Sequence, residues 1–188
     1  MSRSNEISHR RHSIKTMRSG SRFQARAFRA GKPVGDTYSG ATQDEAVCAV
    51  KDFLDARAAE FRGRRGQGGF PCAGEIRAAL ATLSMNKVQE AMLFAHLAAP
   101  DHVLTATQLA QAAGYDDYAV ANRQYGQLAH DLACELEWTP AEETNGTTTW
   151  TFTLADDADR DARRRGDLVE GQWRWRLRPE VVEALVEV

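Results

Sequence analysis

Arg3, Arg10, Arg11, Lys15, Arg18, Arg22, Arg26 and Arg29 crowd the start of this 188-residue chain with cations. Guanidinium and ammonium groups at that density suit phosphate. Each neutralised phosphate releases condensed counterions, so the affinity falls with salt and carries no choice of sequence. A second set has the chemistry to choose. Asn122, Arg123 and Gln127, with Gln124 and Tyr118 nearby, lie on the face of a helical pattern opposite the Leu/Tyr seam. From a helix in a major groove, Arg can fork onto guanine, and Asn or Gln onto adenine. A merely solvated helix face is the competing interpretation, and Asp116 and Asp117 near the helix start would repel phosphate. Gly126 is costly in a helix interior and implies close packing there. A third set, Arg174, Arg176 and Arg178, could grip phosphates from one face of a strand anchored by tryptophans on the other. Asp156, Asp157, Asp159 and Asp161 in the adjoining loop offer neutralisation as its rival role.

Nothing in the sequence assembles a catalytic site. His9 and His12 lie in the basic N-terminal stretch, His96 falls in an apolar helix pattern, and His102 follows Pro100-Asp101; no triad spacing links them. His130 and Cys134 share a helix face at i and i+4, but two ligands do not complete a zinc site. Gly66-Gln-Gly68-Gly69 lacks the strand, spacing and Lys of a phosphate-binding loop. The expectation is therefore no catalytic residue, no metal and no cofactor. Cys48, Cys72 and Cys134 are odd in number and widely spaced, which encodes no disulfide framework.

Charge divides the chain. Residues 1–70 carry 14 Lys/Arg against 7 Asp/Glu, and residues 71–188 carry 10 against 19, within an overall charge of −2. A basic segment for a phosphate-rich partner attached to an acidic body is the natural interpretation. No apolar run approaches the roughly 20 residues that cross a bilayer, and residues 1–20 have no apolar stretch of the kind that begins a secretory signal. A cytoplasmic protein without membrane contact is expected.

These residues need elements to hold them. Residues 1–20 lack apolar periodicity and read as a disordered basic arm. From Arg22 to Phe28 the chain alternates, with Phe23, Ala25 and Ala27 on one face and Arg22, Gln24 and Arg26 on the other, as a half-buried strand requires. A turn at 30–33, a second strand around Val34 to Tyr38 and a Thr42/Glu45 capping box opening a helix complete a strand-strand-helix module over 21–61. The Gly/Arg-rich stretch 62–70 reads as a linker. Beyond it, two helices, the second apolar enough to be buried, precede a short helix capped by Thr105 and Gln108 and ended by Gly114. A longer helix then starts at Asp116 or Asp117, giving a helix-turn-helix pattern. Trp150, Phe152 and Leu154 alternate with threonines, and Trp173, Trp175 and Leu177 alternate with arginines. They predict a β-hairpin, the wing, joined by the polar loop 155–171 and followed by a helix opening at Pro179. The expected fold is α+β, with a winged-helix-like domain over 71–188.

Leu104-Thr-Ala-Thr-Gln-Leu-Ala-Gln-Ala-Ala-Gly-Tyr115, Ala121-Asn-Arg-Gln-Tyr-Gly-Gln-Leu-Ala129 and Trp175-Arg-Leu-Arg-Pro-Glu-Val-Val-Glu-Ala-Leu185 together resemble a helical module found beside HNH nuclease domains in bacterial restriction-type proteins. The resemblance covers about half the chain. It implies DNA binding in conflicts between phages and bacteria, without nuclease activity, since the HNH-type histidine cluster is missing. The segment from Ser21 to Arg57 looks like the arm-binding module of phage integrases, which lays a sheet against DNA. The resulting expectation is a non-enzymatic protein whose partner is DNA or a nucleoprotein complex, with Arg10, Arg11, Lys15, Arg18, Arg22, Arg26, Asn122, Arg123, Gln127, Arg174 and Arg176 as contacts. Two alternatives stay open. One is a phage-encoded inhibitor of the anti-CRISPR type, which binds a host defence protein and imitates phosphates with Asp116, Asp117, Glu135, Glu137, Glu142 and Glu143. The other is a transcriptional regulator, which would act as an oligomer on a palindromic operator.

Overall fold

The computed structural model describes residues 7–141, 146–165 and 173–186. Arg3, Glu142 and Glu143 lie outside them. The protein is α+β and divides into two compact units, Met1–Arg65 and Gly66–Val188.

In the first unit, β1 (Ile7–His9), β2 (His12–Ser19), β3 (Arg22–Arg29) and β4 (Lys32–Gly40) form an antiparallel sheet in chain order, followed by α1 (Gln43–Gly63). Residues 7–19 are thus two strands of a sheet, not a disordered arm. Two-residue loops join all four strands, as the pairs His9↔His12, Ser19↔Arg22 and Arg29↔Lys32 require. Such loops match strand twist when their residues take positive φ. Arg10 (44°), Arg11 (58°), Gly20 (61°), Ala30 (46°) and Gly31 (76°) do so. The inner face sets Ile14 opposite Ala27 and Thr16 opposite Ala25. Ala46, Val47, Val50 and Leu54 of α1 close over Ile14, Ala25 and Ala27 as one buried cluster. Thr42 caps α1 by accepting from the Glu45 amide at 3.2 Å, while Glu45 Oε2 accepts from the Ala41 amide at 2.7 Å. The linker expected over 62–70 begins inside α1 and continues as a short 3-10 turn, Gln67–Gly69.

β4 bulges between Val34 and Tyr38, which pair with Ala27 and Ala25. Gly35 sits in the bulge at φ +66°, and a Cβ there would lie 2.4 Å from Phe53 Cε1. Only glycine combines that backbone with so close a ring.

In the second unit, α2 (Ala73–Leu80) and α3 (Lys87–Ala98) precede β5 (Val103–Thr105), α4 (Ala106–Ala112) and α5 (Tyr118–Leu136). β6 (Ala155–Asp157), α6 (Arg160–Arg165), β7 (Arg174–Leu177) and α7 (Pro179–Val186) complete it. The strands form an antiparallel sheet in the order β5-β7-β6 beside α4 and α5, a winged-helix-like arrangement. Thr105 and Gln108 cap α4 reciprocally, Gly114 ends it at φ 81°, and Asp117 caps α5 by accepting from the Ala119 amide. Leu109, Tyr125, Leu128 and Leu132 are buried in the core with Met92 and Leu93.

Three expectations fail here. Trp150–Thr153 is a 3-10 turn, and the wing strand is the next segment, Ala155–Asp157, so the supposed loop 155–171 begins with β6 and α6. Its residues 166–171 lie outside the described residues. Helix α3 buries Met92, Leu93 and His96 but leaves Phe94 55% exposed, so its apolar pattern is wider than its buried face. Gly126 of α5 is not a point of close packing, because a Cβ there would meet nothing within 4 Å among the described residues.

Candidate nucleic-acid interface

The two faces of the first sheet differ because side chains alternate along a strand. Helix α1 covers the face bearing Ile14, Ala25 and Ala27. The opposite face sets Lys15 against Arg26, Met17 against Gln24, and Ser19 against Arg22. Lys15, Met17, Ser19 and Arg22 are exposed, and Arg26 and Gln24 are half-buried. Lys15 Nζ rests 4.6 Å from the Phe28 ring on that same face, a cation–π contact that leaves its charge uncompensated. Arg26 Nε donates to the Gly35 carbonyl at 3.1 Å, so the bulge fixes its guanidinium. Among the described residues, neither Lys15, Arg22 nor Arg26 meets a carboxylate.

The other expected cations of this unit lie elsewhere. Arg10, in the β1–β2 loop, forms an ion pair with Asp55 of α1, to which His9 Nε2 also donates at 2.9 Å. Hydrogen bonds from Arg10 and then His9 hold the Asp55 carboxyl below its ordinary value. Arg10 is therefore tied to its own helix. Arg11 occupies the same loop and is itself engaged within the chain. Arg18 belongs to the helix-side face, where it pairs with Phe23 across the strands, lies 5.9 Å from that ring and donates to the Gly20 carbonyl at 3.3 Å. Only Lys15, Arg22 and Arg26 of the expected set share one open surface.

In the second unit, Asn122, Arg123 and Gln127 are exposed on α5. Gln127 spends an amide hydrogen on Asp131 Oδ1 at 2.8 Å, and Gln124 accepts from Asn86 at 3.1 Å. Arg123 has no ion pair among the described residues. Asp116 and Asp117, both exposed, open the helix between the exposed rings of Tyr115 and Tyr118.

Two of the three arginines in and just after β7 are drawn into charge pairs. Arg174 lies 3.4 Å from Asp159, and Arg178 lies 2.8 Å from Asp156. Asp156 also meets Arg160 at 3.5 Å, and Asp157 meets Arg163 at 3.0 Å. Arg176 projects from β7 opposite Val103 and Asp156, without a direct ion pair among the described residues. Arg178 stacks 4.2 Å from the Phe70 centroid and donates to the Phe152 carbonyl at 2.8 Å, so it organises the wing.

The other histidines are also held by contacts within the chain. His12 Nδ1 donates to the Arg10 carbonyl at 2.6 Å, and His102 Nδ1 donates to the Leu97 carbonyl at 2.7 Å. His130 meets Trp150 edge-on at 4.5 Å and Cys134 Sγ at 3.8 Å. His96 is fully buried: Tyr125 donates its hydroxyl to Nδ1 at 2.8 Å, and Nε2 donates to the Trp175 carbonyl at 2.9 Å. Among the described residues, no three His, Cys, Asp or Glu side chains gather as a metal site.

No protein-family model, curated protein or solved structure matches this chain. The sheet face therefore stands on its own chemistry.

Sequence reasoning placed Gln24 on this face without counting it as a contact, and it missed Met17 altogether. The signal for Met17 was present in the alternation of Ser13, Lys15 and Met17 with Ile14 and Thr16, closed by a glycine turn.

Proposed function

We propose that this protein binds duplex DNA without catalysing a reaction on it, through the open face of its N-terminal sheet. The observation that carries this reading is the co-facial placement of Lys15, Arg22 and Arg26, with no carboxylate paired to any of them among the described residues. Cations kept free on a rigid sheet are ready to replace the counterions of a phosphate backbone. Strands can also enter a major groove, as β-sheet readers of DNA do. The resemblances to integrase arm-binding and restriction-associated modules agree with this class and favour a setting of conflict between phages and bacteria. No disulfide joins Cys48, Cys72 and Cys134, which suits a cytoplasmic location. No helix of the described residues is long and apolar enough to cross a membrane.

The test is fluorescence anisotropy of a labelled 20-bp duplex titrated with the full chain at low salt. The wild type binds, and the Lys15→Ala/Arg22→Ala/Arg26→Ala triple variant loses at least about tenfold in affinity at three phosphate contacts. Absence of wild-type binding at low salt would overturn the proposal.

A second reading is favoured by one observation on α5: Asp116 and Asp117 stand where a DNA-reading helix would approach phosphates. An inhibitor that docks on a host nucleoprotein defence complex would use such acids to imitate phosphate. Capture of that complex in nuclease-treated extract, with no retention of naked duplex, would replace the first reading by this one.

A further inference from the structure

The open sheet face is a pattern of rows, because residues paired across antiparallel strands stand side by side. One row holds Lys15 and Arg26, the next Met17, Gln24 and Ser39, and the third Ser19 and Arg22. The outer rows are cationic and the middle row is neutral. Met17 is 62% exposed, so its side chain is open to a ligand laid on this face. Gln24 has no hydrogen-bond partner for its side-chain amide among the described residues.

Spacing gives the rows a meaning. Residues two apart on a strand lie about 7 Å apart, so the cationic rows are separated by about 13 Å. The major groove of B-form DNA is about 12 Å wide between its phosphate walls. A sheet whose outer rows meet the two backbones brings its middle row over the base edges.

We propose that Met17, Gln24 and Ser39 form a base-reading row that selects A·T pairs in the major groove, with Lys15, Arg26 and Arg22 clamping the flanking phosphates. This rests on the DNA-binding reading above and adds a division of labour to it. The Gln24 amide matches the adenine N6 donor and N7 acceptor, and the Met17 side chain offers apolar contact to the thymine methyl. Ser39 donates to or accepts from either base. Duplex RNA is excluded as the matching ligand, since its major groove is too narrow and deep for side chains to read.

The experiment uses the full chain and 20-bp duplexes with common flanks and a centre of A·T, G·C or inosine·cytosine pairs, followed by anisotropy. Inosine·cytosine presents the major-groove acceptors of a G·C pair but the minor groove of an A·T pair, so it separates the two grooves. The wild type binds the A·T duplex at least about fivefold tighter than the G·C duplex, and inosine·cytosine behaves as G·C. Gln24→Ala brings the ratio toward one without changing the salt slope. Gln24→Glu shifts preference toward G·C, because a carboxylate accepts from the cytosine amino group. Uracil in place of thymine weakens the wild type but not Met17→Ala. An inosine·cytosine duplex bound as tightly as A·T, or a Gln24→Ala variant that keeps the full ratio, overturns the reading row while leaving DNA binding intact. Absence of binding to every duplex overturns both.

Discussion

His96 shows how much a single buried side chain constrains the second unit, because its two nitrogens tie α3 to α5 and β7. Burial lowers its pKa from 6.5 to about 4. Above pH 6.5 it is neutral in both folded and unfolded chains. As the pH falls from about 6.5 to about 4, only the unfolded chain takes up the proton, so stability is lost across that window by up to about 1.4 kcal/mol per pH unit. Trp138, Trp150, Trp173 and Trp175 all belong to this unit, so urea unfolding followed by tryptophan fluorescence reports it. The midpoint falls between pH 6.5 and 4.5, and less steeply in His96→Gln; equal slopes would contradict this role. In the first unit, Gly35→Ala meets both a left-handed backbone and the Phe53 ring, and costs about 1–3 kcal/mol in chemical denaturation followed by circular dichroism. The sequence exposed such residues unevenly. The type of His96 and its apolar neighbours marked a core histidine, but its partners come from positions 29 and 79 residues away, which no local pattern encodes. Arg10 likewise shows no sequence sign that Asp55, 45 residues on, would claim it.

Helical periodicity and caps survived at the scale of elements, whereas one expected strand, at Trp150–Leu154, and the disordered arm expected over residues 1–20 did not. Thr105, Gln108, Gly114 and Asp117 act locally, and each caps where its chemistry predicts. Strand β2 was missed because its inner face offers only Ile14 and Thr16, an apolar signal too thin to stand against the surrounding Ser, Arg and His. The alternation of Trp150, Phe152 and Leu154 misled for the opposite reason. Trp150 meets His130 and Phe152 meets Trp175 edge-on from a 3-10 turn rather than a strand, and Leu154, the residue that ends the turn, enters the core. These corrections change what a truncation does. Deleting residues 1–20 removes β1, β2 and the buried Ile14, so it unfolds the first unit rather than merely discharging it, and circular dichroism shows lost β-structure. Ile14→Ala alone destabilises that unit by about 2–5 kcal/mol. With the sheet as the DNA-binding element, Arg123→Ala on α5 leaves duplex affinity within about twofold, as measured by anisotropy. A loss comparable to that of Arg22→Ala would move the interface to α5.

The whole chain carries charge of opposite sign in its two parts, and composition alone makes this contrast legible. Composition does not say which cations remain free. Backbone pairing decides that by sending Lys15, Arg22 and Arg26 to one face, Arg18 to the other and Arg10 to Asp55. The surplus of acids in the second unit is partly consumed by the wing, where Asp156, Asp157 and Asp159 neutralise the arginines around them. The most direct measurement is the slope of log K against log salt for duplex binding by the full chain and its single variants. Lys15→Ala, Arg22→Ala and Arg26→Ala are each expected to flatten the slope by about 0.9, while Arg10→Ala leaves it nearly unchanged. Equal slopes for Arg22→Ala and wild type, or a full unit lost in Arg10→Ala, would contradict the sheet face as the phosphate-binding surface.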